Sequence, residues 1–270
     1  MSSLRASNDR PVALVTGSTR RIGRAIALEL AAHGHDIALH HRSAASAAEA
    51  QAVLVELRAL GARAEAFCAD LGDESACNAL VPAVAAAFGR VDALVNNASR
   101  FDDDSVQSFG FAAMDAHWRI NTAAPLILAR SLHAHLLARD AGAARGCVIN
   151  LLDQKLWNPN PDHLSYTLSK AALEAAGTLL AQALAPVLRV CGVAPGVTLL
   201  SGPMDAAEFE RAHRLTPLER SSTPDDVARA VRFLIESPAI TGTTLLVDGG
   251  QHLQKQPRDV LYLVREELVR

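Results

Sequence analysis

Residues 12–23 read Val12-Ala13-Leu14-Val15-Thr16-Gly17-Ser18-Thr19-Arg20-Arg21-Ile22-Gly23. A short aliphatic run gives way to a glycine-bearing turn, after which Ile22, Ile26 and Leu30 fall four residues apart and so share one face of a helix. A turn that opens a helix presents free backbone N–H groups and the positive end of the helix dipole to an anion, and glycines let a pyrophosphate come close. An ordinary strand-to-helix turn uses the same glycines, so context must decide between the two. Arg21 stands where the dinucleotide pattern has its middle glycine, and its guanidinium can reach a phosphate from there.

Working outward, short β-branched or aliphatic runs at 12–15, 37–40, 64–68, 93–95, 148–152, 188–193 and 244–247 alternate with longer Ala- and Leu-rich segments. Gly34 closes the first helix, 43–60 reads as a second helix ending at Gly61, and 73–88 as a third ending at Gly89,. This alternation predicts an α/β chain: a single-domain Rossmann-type doubly wound sheet of about seven parallel strands flanked by helices. Its expected limits are 11–250, after a flexible N-terminal segment at 1–10. The alternation breaks from Ser201 to Pro224, and a substrate-loop insertion is expected near 199–224. In the tail, 251–270, an apolar stretch at 260–264 docks on the body or on another subunit, or frays.

Half of the 270 residues are hydrophobic and a fifth are charged, which suffices for a substantial core,. The formal net charge is −3 and the basic residues are dispersed, so no nucleic-acid surface is expected. No run approaches the roughly 20 apolar residues of a membrane span, and the polar first ten residues lack a secretory pattern; a soluble, cytoplasmic protein is expected. Cys68, Cys77, Cys147 and Cys191 form no C-x-x-C pair and read as buried thiols, with no metal site. Asp102-Asp103-Asp104 reads as a solvated loop, and His117 and His163 as structural or surface histidines.

The second strand ends in His40-His41-Arg42-Ser43, without the acid that would bind an unphosphorylated adenosine ribose,. Arg42 and Ser43 offer a cation and a hydroxyl where a 2′-phosphate would sit, which favours NADPH over NADH; a solvated surface arginine is the alternative. Tyr166 and Lys170, four apart on a helical stretch, share a face,. An ammonium beside a phenol lowers its pKa toward the working range and makes the hydroxyl a usable acid or base.

The phosphate loop with Gly17, Ile22 and Gly23, Asp70-Leu71, Asn96-Asn97-Ala98, Asn121, Tyr166 with Lys170, Pro195-Gly196 and Asp248-Gly249-Gly250 together resemble the short-chain dehydrogenase/reductase family along almost the whole chain. The resemblance implies Tyr166 as proton donor, Lys170 as its pKa tuner and ribose anchor, Asn121 as a proton-relay link through water, and Asp70 near the adenine. It also implies a homotetramer. The residue thirteen before the tyrosine, usually serine in this family, is Asp153. Arg21, His41-Arg42-Ser43, Ser99, Phe101 and Asp153 together look like the pteridine reductase branch, and are also similar to bacterial dihydromonapterin and dihydrofolate reductases. On that model Phe101 stacks on a pterin ring, Ser99 contacts ligand or phosphate, Asp153 and Tyr166 supply protons, and Trp157 lines the pocket or covers the core.

The chemistry is coherent from the residues themselves. Hydride addition to C=N leaves charge on a ring nitrogen that a nearby acid must neutralise, while aromatic stacking orients the heterocycle. Two alternatives stand beside a dihydropterin or dihydrofolate reductase: a carbonyl reductase of the 3-oxoacyl thioester type, and a catalytically silent NADP(H)-binding protein.

Overall fold

The computed structural model describes residues 10–200 and 204–266. Strands β1 (Val12–Val15), β2 (Asp36–His41), β3 (Ala64–Cys68), β4 (Ala93–Asn96), β5 (Gly146–Leu151), β6 (Leu188–Pro195) and β7 (Thr244–Val247) form one sheet in the order β3-β2-β1-β4-β5-β6-β7. Every pairing is parallel, so both faces must be covered. Helices α1 (Arg21–Ala32), α2 (Ala47–Ala59) and α8 (Pro224–Glu236) cover one face; α3 (Glu74–Phe88), α5 (Ala124–Ala138) and α6 (Leu164–Ala183) cover the other.

The two-residue strand period divides the core accordingly. Ala13 and Val15 pack with Ile26, Leu30, Val53 and Val231, whereas Val12 and Leu14 pack with Leu80, Val84, Leu128 and Leu132,. The Ile22-Ile26-Leu30 face is therefore the sheet-facing one, with Ile26 and Leu30 fully buried. Asp73 accepts from Ser75 N at 2.8 Å to cap α3, and Gly89 ends that helix at φ 81. The expected second helix is a 3-10 turn, Ala44–Ser46, followed by α2.

Strand order reverses between β1 and β4, and loops leaving the carboxyl ends of those two strands must diverge and open a crevice,. Beyond β6, where an insertion was expected, α7 (Ala206–Arg214) begins with an Asp205–Glu208 capping box,; Ser201–Pro203 lie outside the described residues, as do 1–9 and 267–270. The apolar stretch at 260–264 belongs to α9 (Val260–Glu266), and Val260 and Val264 pack on Ala212 of α7 in the same chain. Among the described residues no helix is long and apolar enough to cross a membrane. Cys77, Cys147 and Cys191 are buried, but Cys68, at the solvent-facing end of β3, is exposed, which corrects the expectation of four buried thiols.

Candidate active site

The crevice is a cleft of about 780 Å³ whose lining includes Gly17, Arg21, Ile22, Gly23, His41, Arg42, Asp70, Leu71, Asn97, Ala98, Ser99 and Phe101. Two of its glycines are dictated by contact. Gly17 takes φ +62, and a Cβ on Gly23 would lie 2.4 Å from the Gly17 carbonyl oxygen and 2.5 Å from Asn97 Nδ2. Asn97 explains that crowding: its Nδ2 donates to the Thr16 and Gly17 carbonyls at 2.9 and 3.0 Å, stitching the β4 loop to the β1 loop. The first turn of α1 has neither a side-chain cap nor an acidic residue, so its N–H groups remain available to an anion. Arg21 adopts φ 54, the conformation of the glycine it replaces, and its Nη1 donates to the Leu200 carbonyl at 2.9 Å.

At the far end of the cleft Arg42 is exposed, with Nε 3.6 Å from Asp70 Oδ2. Ser43 is exposed too and is not part of the lining; its carbonyl contacts His41 Nδ1 at 3.0 Å. A residue not foreseen from the sequence, His40, does more. Its Nδ1 accepts from Gly17 N at 3.0 Å and its Nε2 donates to the Ala69 carbonyl at 2.9 Å, so a neutral tautomer ties the phosphate loop to the β3 loop,. Burial pushes its pKa down to about 4.

Tyr166, Lys170 and Asp153 meet beyond Phe101. Tyr166 donates its hydroxyl to Asp153 Oδ2 at 2.9 Å, and Asp153 Oδ1 accepts from Lys155 N at 2.9 Å. Lys170 donates to the Leu151 carbonyl at 2.7 Å and lies 5.8 Å from the centre of the Tyr166 ring. The electrostatics differ from the sequence expectation. Tyr166 is held well above the ordinary phenol range, first by burial and then by the Asp153 carboxylate, so here the phenol is a proton-holding acid rather than a phenolate tuned by lysine. Burial also raises Asp153 and lowers Lys170 to about 8.

Phe101 lies 4.4 Å from His163 ring to ring and meets Tyr166 edge-on at 4.6 Å, which joins the cleft lining to the Asp153–Tyr166 pair. Asn121 sits in a π-helical turn, Arg119–Ala123. Its Oδ1 accepts from Arg100 N and Ser99 Oγ, and its Nδ2 donates to the Arg100 carbonyl and Ser169 Oγ. All four positions of that amide are filled, so the side chain clamps the 99–101 loop onto α6 and has none left for a relay water. Trp157 is partly exposed just after the Asp153 turn. Pro195 ends β6, and a Cβ on Gly196 would strike Ser221, Asp248 and Gln251 within 2.8 Å, so close packing requires that glycine; neither lines the cleft.

The acidic run is not a solvated loop throughout. Asp104 is buried, accepts from Ser165 N at 3.0 Å and pairs with Ser165 Oγ, and so caps α6 from a distant loop where His163 provides no side-chain cap,. His117 is buried, bridging Asp102 N and the Ala113 carbonyl. Nothing in local spacing signals His40 or Asp104, because their partners lie 23 to 61 residues away.

A family model described as Enoyl-(Acyl carrier protein) reductase matches residues 17–252. The chain belongs to the short-chain dehydrogenase/reductase family. It is an oxidoreductase of that family, and its relatives agree over nearly their full lengths. Pteridine reductase 1 of Leishmania tarentolae is 35% identical over 283 residues, covering 91% of this chain and 97% of the relative. The 3-oxoacyl-(acyl-carrier-protein) reductase of Staphylococcus aureus is 32% identical over 247 residues, covering 89% and 98%. Among solved structures, the FolM alternative dihydrofolate reductase 1 of Brucella canis, complexed with NADP, superposes with a TM-score of 0.86 at 38% identity, covering 94% of this chain and 99% of that one. The Leishmania and Brucella relatives are consistent with a pteridine reductase-like branch of the short-chain reductases, and the staphylococcal one with a 3-oxoacyl reductase.

Proposed function

We propose that the chain is an NADPH-dependent reductase of a dihydropterin C=N bond, with dihydrofolate as a further candidate substrate. The observation that carries this reading is the 2.9 Å hydrogen bond from the Tyr166 hydroxyl to Asp153. An acid reinforced by a second acid suits protonation of a ring nitrogen. The likeness to the Leishmania pteridine reductase and the Brucella FolM structure supports it.

The cleft residues fit a dinucleotide phosphate: the Gly17–Gly23 contact leaves no room for side chains at the turn, and the N–H groups of α1 are uncapped. On this reading Gly17, Arg21, Ile22 and Gly23 hold the pyrophosphate, while His41, Arg42 and Ser43 receive the 2′-phosphate. Asp70, Leu71, Asn97, Ala98 and Ser99 border the rest of the cleft, while Lys170, Pro195 and Gly196, outside that lining, are assigned to the cofactor by the family resemblance alone. When bound, NADPH supplies a hydride. Tyr166 then gives its proton to the nitrogen that gains charge, and Asp153, raised by burial, returns a proton to the phenol oxygen. Lys170 anchors the ribose, Phe101 stacks on the heterocycle, and Ser99 and Trp157 border it. Asn121 positions the 99–101 loop.

The proposal extends to a cytoplasmic location and to a homotetramer, for which exposed Phe111, Trp118, Leu168 and Leu179 on α4 (Phe111–Trp118) and α6 offer apolar surface for a subunit interface. The test of function is NADPH oxidation with dihydrobiopterin, dihydromonapterin, dihydrofolate and an acetoacetyl thioester in parallel. Dihydropterin turnover that falls about a hundredfold or more in Tyr166→Phe is expected; turnover of the thioester alone would favour the 3-oxoacyl reading that the staphylococcal relative represents.

A further inference from the structure

One buried cation near the proposed proton donor is not used by the mechanism above. Lys155 follows Asp153 by two residues, and its side chain is 5% exposed. Its Nζ donates to the Asp162 carbonyl at 2.5 Å and lies 3.9 Å from Asp259 Oδ2. Burying an ammonium is costly unless charge and hydrogen bonds repay it, and an aliphatic side chain would otherwise pack there at no such cost.

The carboxylates that act electrostatically on this ammonium come from three segments. Asp153 and Asp162 belong to the loop before α6, Asp103 to the loop after β4, and Asp259 to the C-terminal segment. All four of these carboxylates have other partners. Asp162 Oδ2 receives Arg258 Nε at 2.9 Å and Asp259 N at 2.7 Å. Asp103 is largely exposed, 3.5 Å from His163 and within 3.3 Å of the Tyr262 hydroxyl. Asp259 Oδ1 accepts from Leu261 N. Asp153 bonds Tyr166 and the backbone of Lys155 itself. The C-terminal segment fixes the whole arrangement, since Asn158 Nδ2 donates to the Gln254 carbonyl at 2.6 Å and α9 is seated on α7.

We propose that Lys155 is a positioning residue for the acid pair: its buried ammonium balances the negative charge left on Asp153 and Tyr166 after proton delivery, and the C-terminal segment holds it in place. This rests on the reading of Asp153 and Tyr166 as the proton donors. In that step the Tyr166 O–H bond breaks as an N–H bond forms on the substrate. The Asp153 carboxyl proton passes to the phenol oxygen, and one negative charge stays on Asp153 until water returns a proton. Asp153 is raised chiefly by burial and further by Asp259, and is lowered by the Lys155 backbone N–H, by the Tyr166 hydroxyl and, least of these, by the Lys155 ammonium, so Asp259 and that ammonium act with opposite sign.

The test is the pH dependence of kcat for NADPH with dihydrobiopterin in the wild type, Lys155→Met, Lys155→Arg and Asp259→Asn. Reduction needs the protonated pair, so activity falls on the alkaline side. Lys155→Met moves that limb upward by about one pH unit and lowers kcat, while KM for NADPH holds; Asp259→Asn moves the limb downward, and Lys155→Arg restores it. An isotope-edited NMR titration of the Asp153 carboxyl, assigned by its loss in Asp153→Asn, reads the same shifts without turnover. Coincident profiles and an unmoved Asp153 titration, with only stability lost, overturn the proposal. If Lys155→Met does not fold, the direction of the Asp259→Asn shift decides. Absence of dihydropterin turnover in the wild type sinks the functional reading, and the NMR titration still decides the role of Lys155.

Discussion

The neutral imidazole of His40 makes stability depend on pH in a defined window. Its pKa is about 4 in the fold against a reference of 6.5, chiefly because it is buried between Gly17 and Ala69. A group that binds its proton less well when folded leaves the unfolded chain holding more protons between those two values, so stability rises with pH across that window. The contribution is complete above pH 6.5 and is lost as pH falls through 4. At about 1.4 kcal/mol for each tenfold change in proton affinity, the full effect is roughly 3 kcal/mol. His40→Gln keeps a hydrogen-bonding side chain and removes the titration. Urea denaturation followed from pH 4 to 7 should show the wild type losing about 3 kcal/mol more than the variant on acidification. The subtraction cancels the other groups, including His35 and His135, which burial lowers in the same direction. Parallel stability profiles, or an NMR titration placing His40 near its reference value, would refute the reasoning.

Arg42→Asp puts a second carboxylate beside Asp70 at the expected 2′-phosphate position; kcat/KM for NADPH should fall about 10- to 100-fold while NADH use changes little, and equal losses would displace the 2′-phosphate assignment. Gly23→Ala forces a Cβ against the Gly17 carbonyl at 2.4 Å, so thermal unfolding should register about 1–3 kcal/mol of destabilisation and calorimetry a weakened NADPH affinity; an unchanged Kd would mean the turn does not cradle the phosphate. Asp104→Ala removes the cap of α6, for an expected loss of roughly 1–2 kcal/mol in chemical denaturation, whereas an exposed aspartate would cost almost nothing.

The sequence by itself determined the layered architecture. Two-residue and four-residue periodicities around 12–30 fix which face of β1 meets which helix, and the same patterns place all seven strands within a few residues of their observed limits. Helix ends at Asp73 and Gly89 were legible because caps act over two to four residues,. It also marked Tyr166 and Lys170, whose four-residue spacing on one helix is local, whereas Asp153 was marked by the resemblance to the family, where a serine usually stands. What only the tertiary structure decided involves partners far apart in the chain. His40 acquires its tautomer from Gly17 and Ala69, Asp104 caps a helix 61 residues on, Asn121 exhausts its amide on two elements, and Lys155 meets Asp259 across 104 residues. The phenol of Tyr166 is raised rather than lowered for the same reason. Desolvation and the charge of Asp153 exist only once the sheet and α6 have packed, and a protonation state is set by that enclosure rather than by the residue types in a row,.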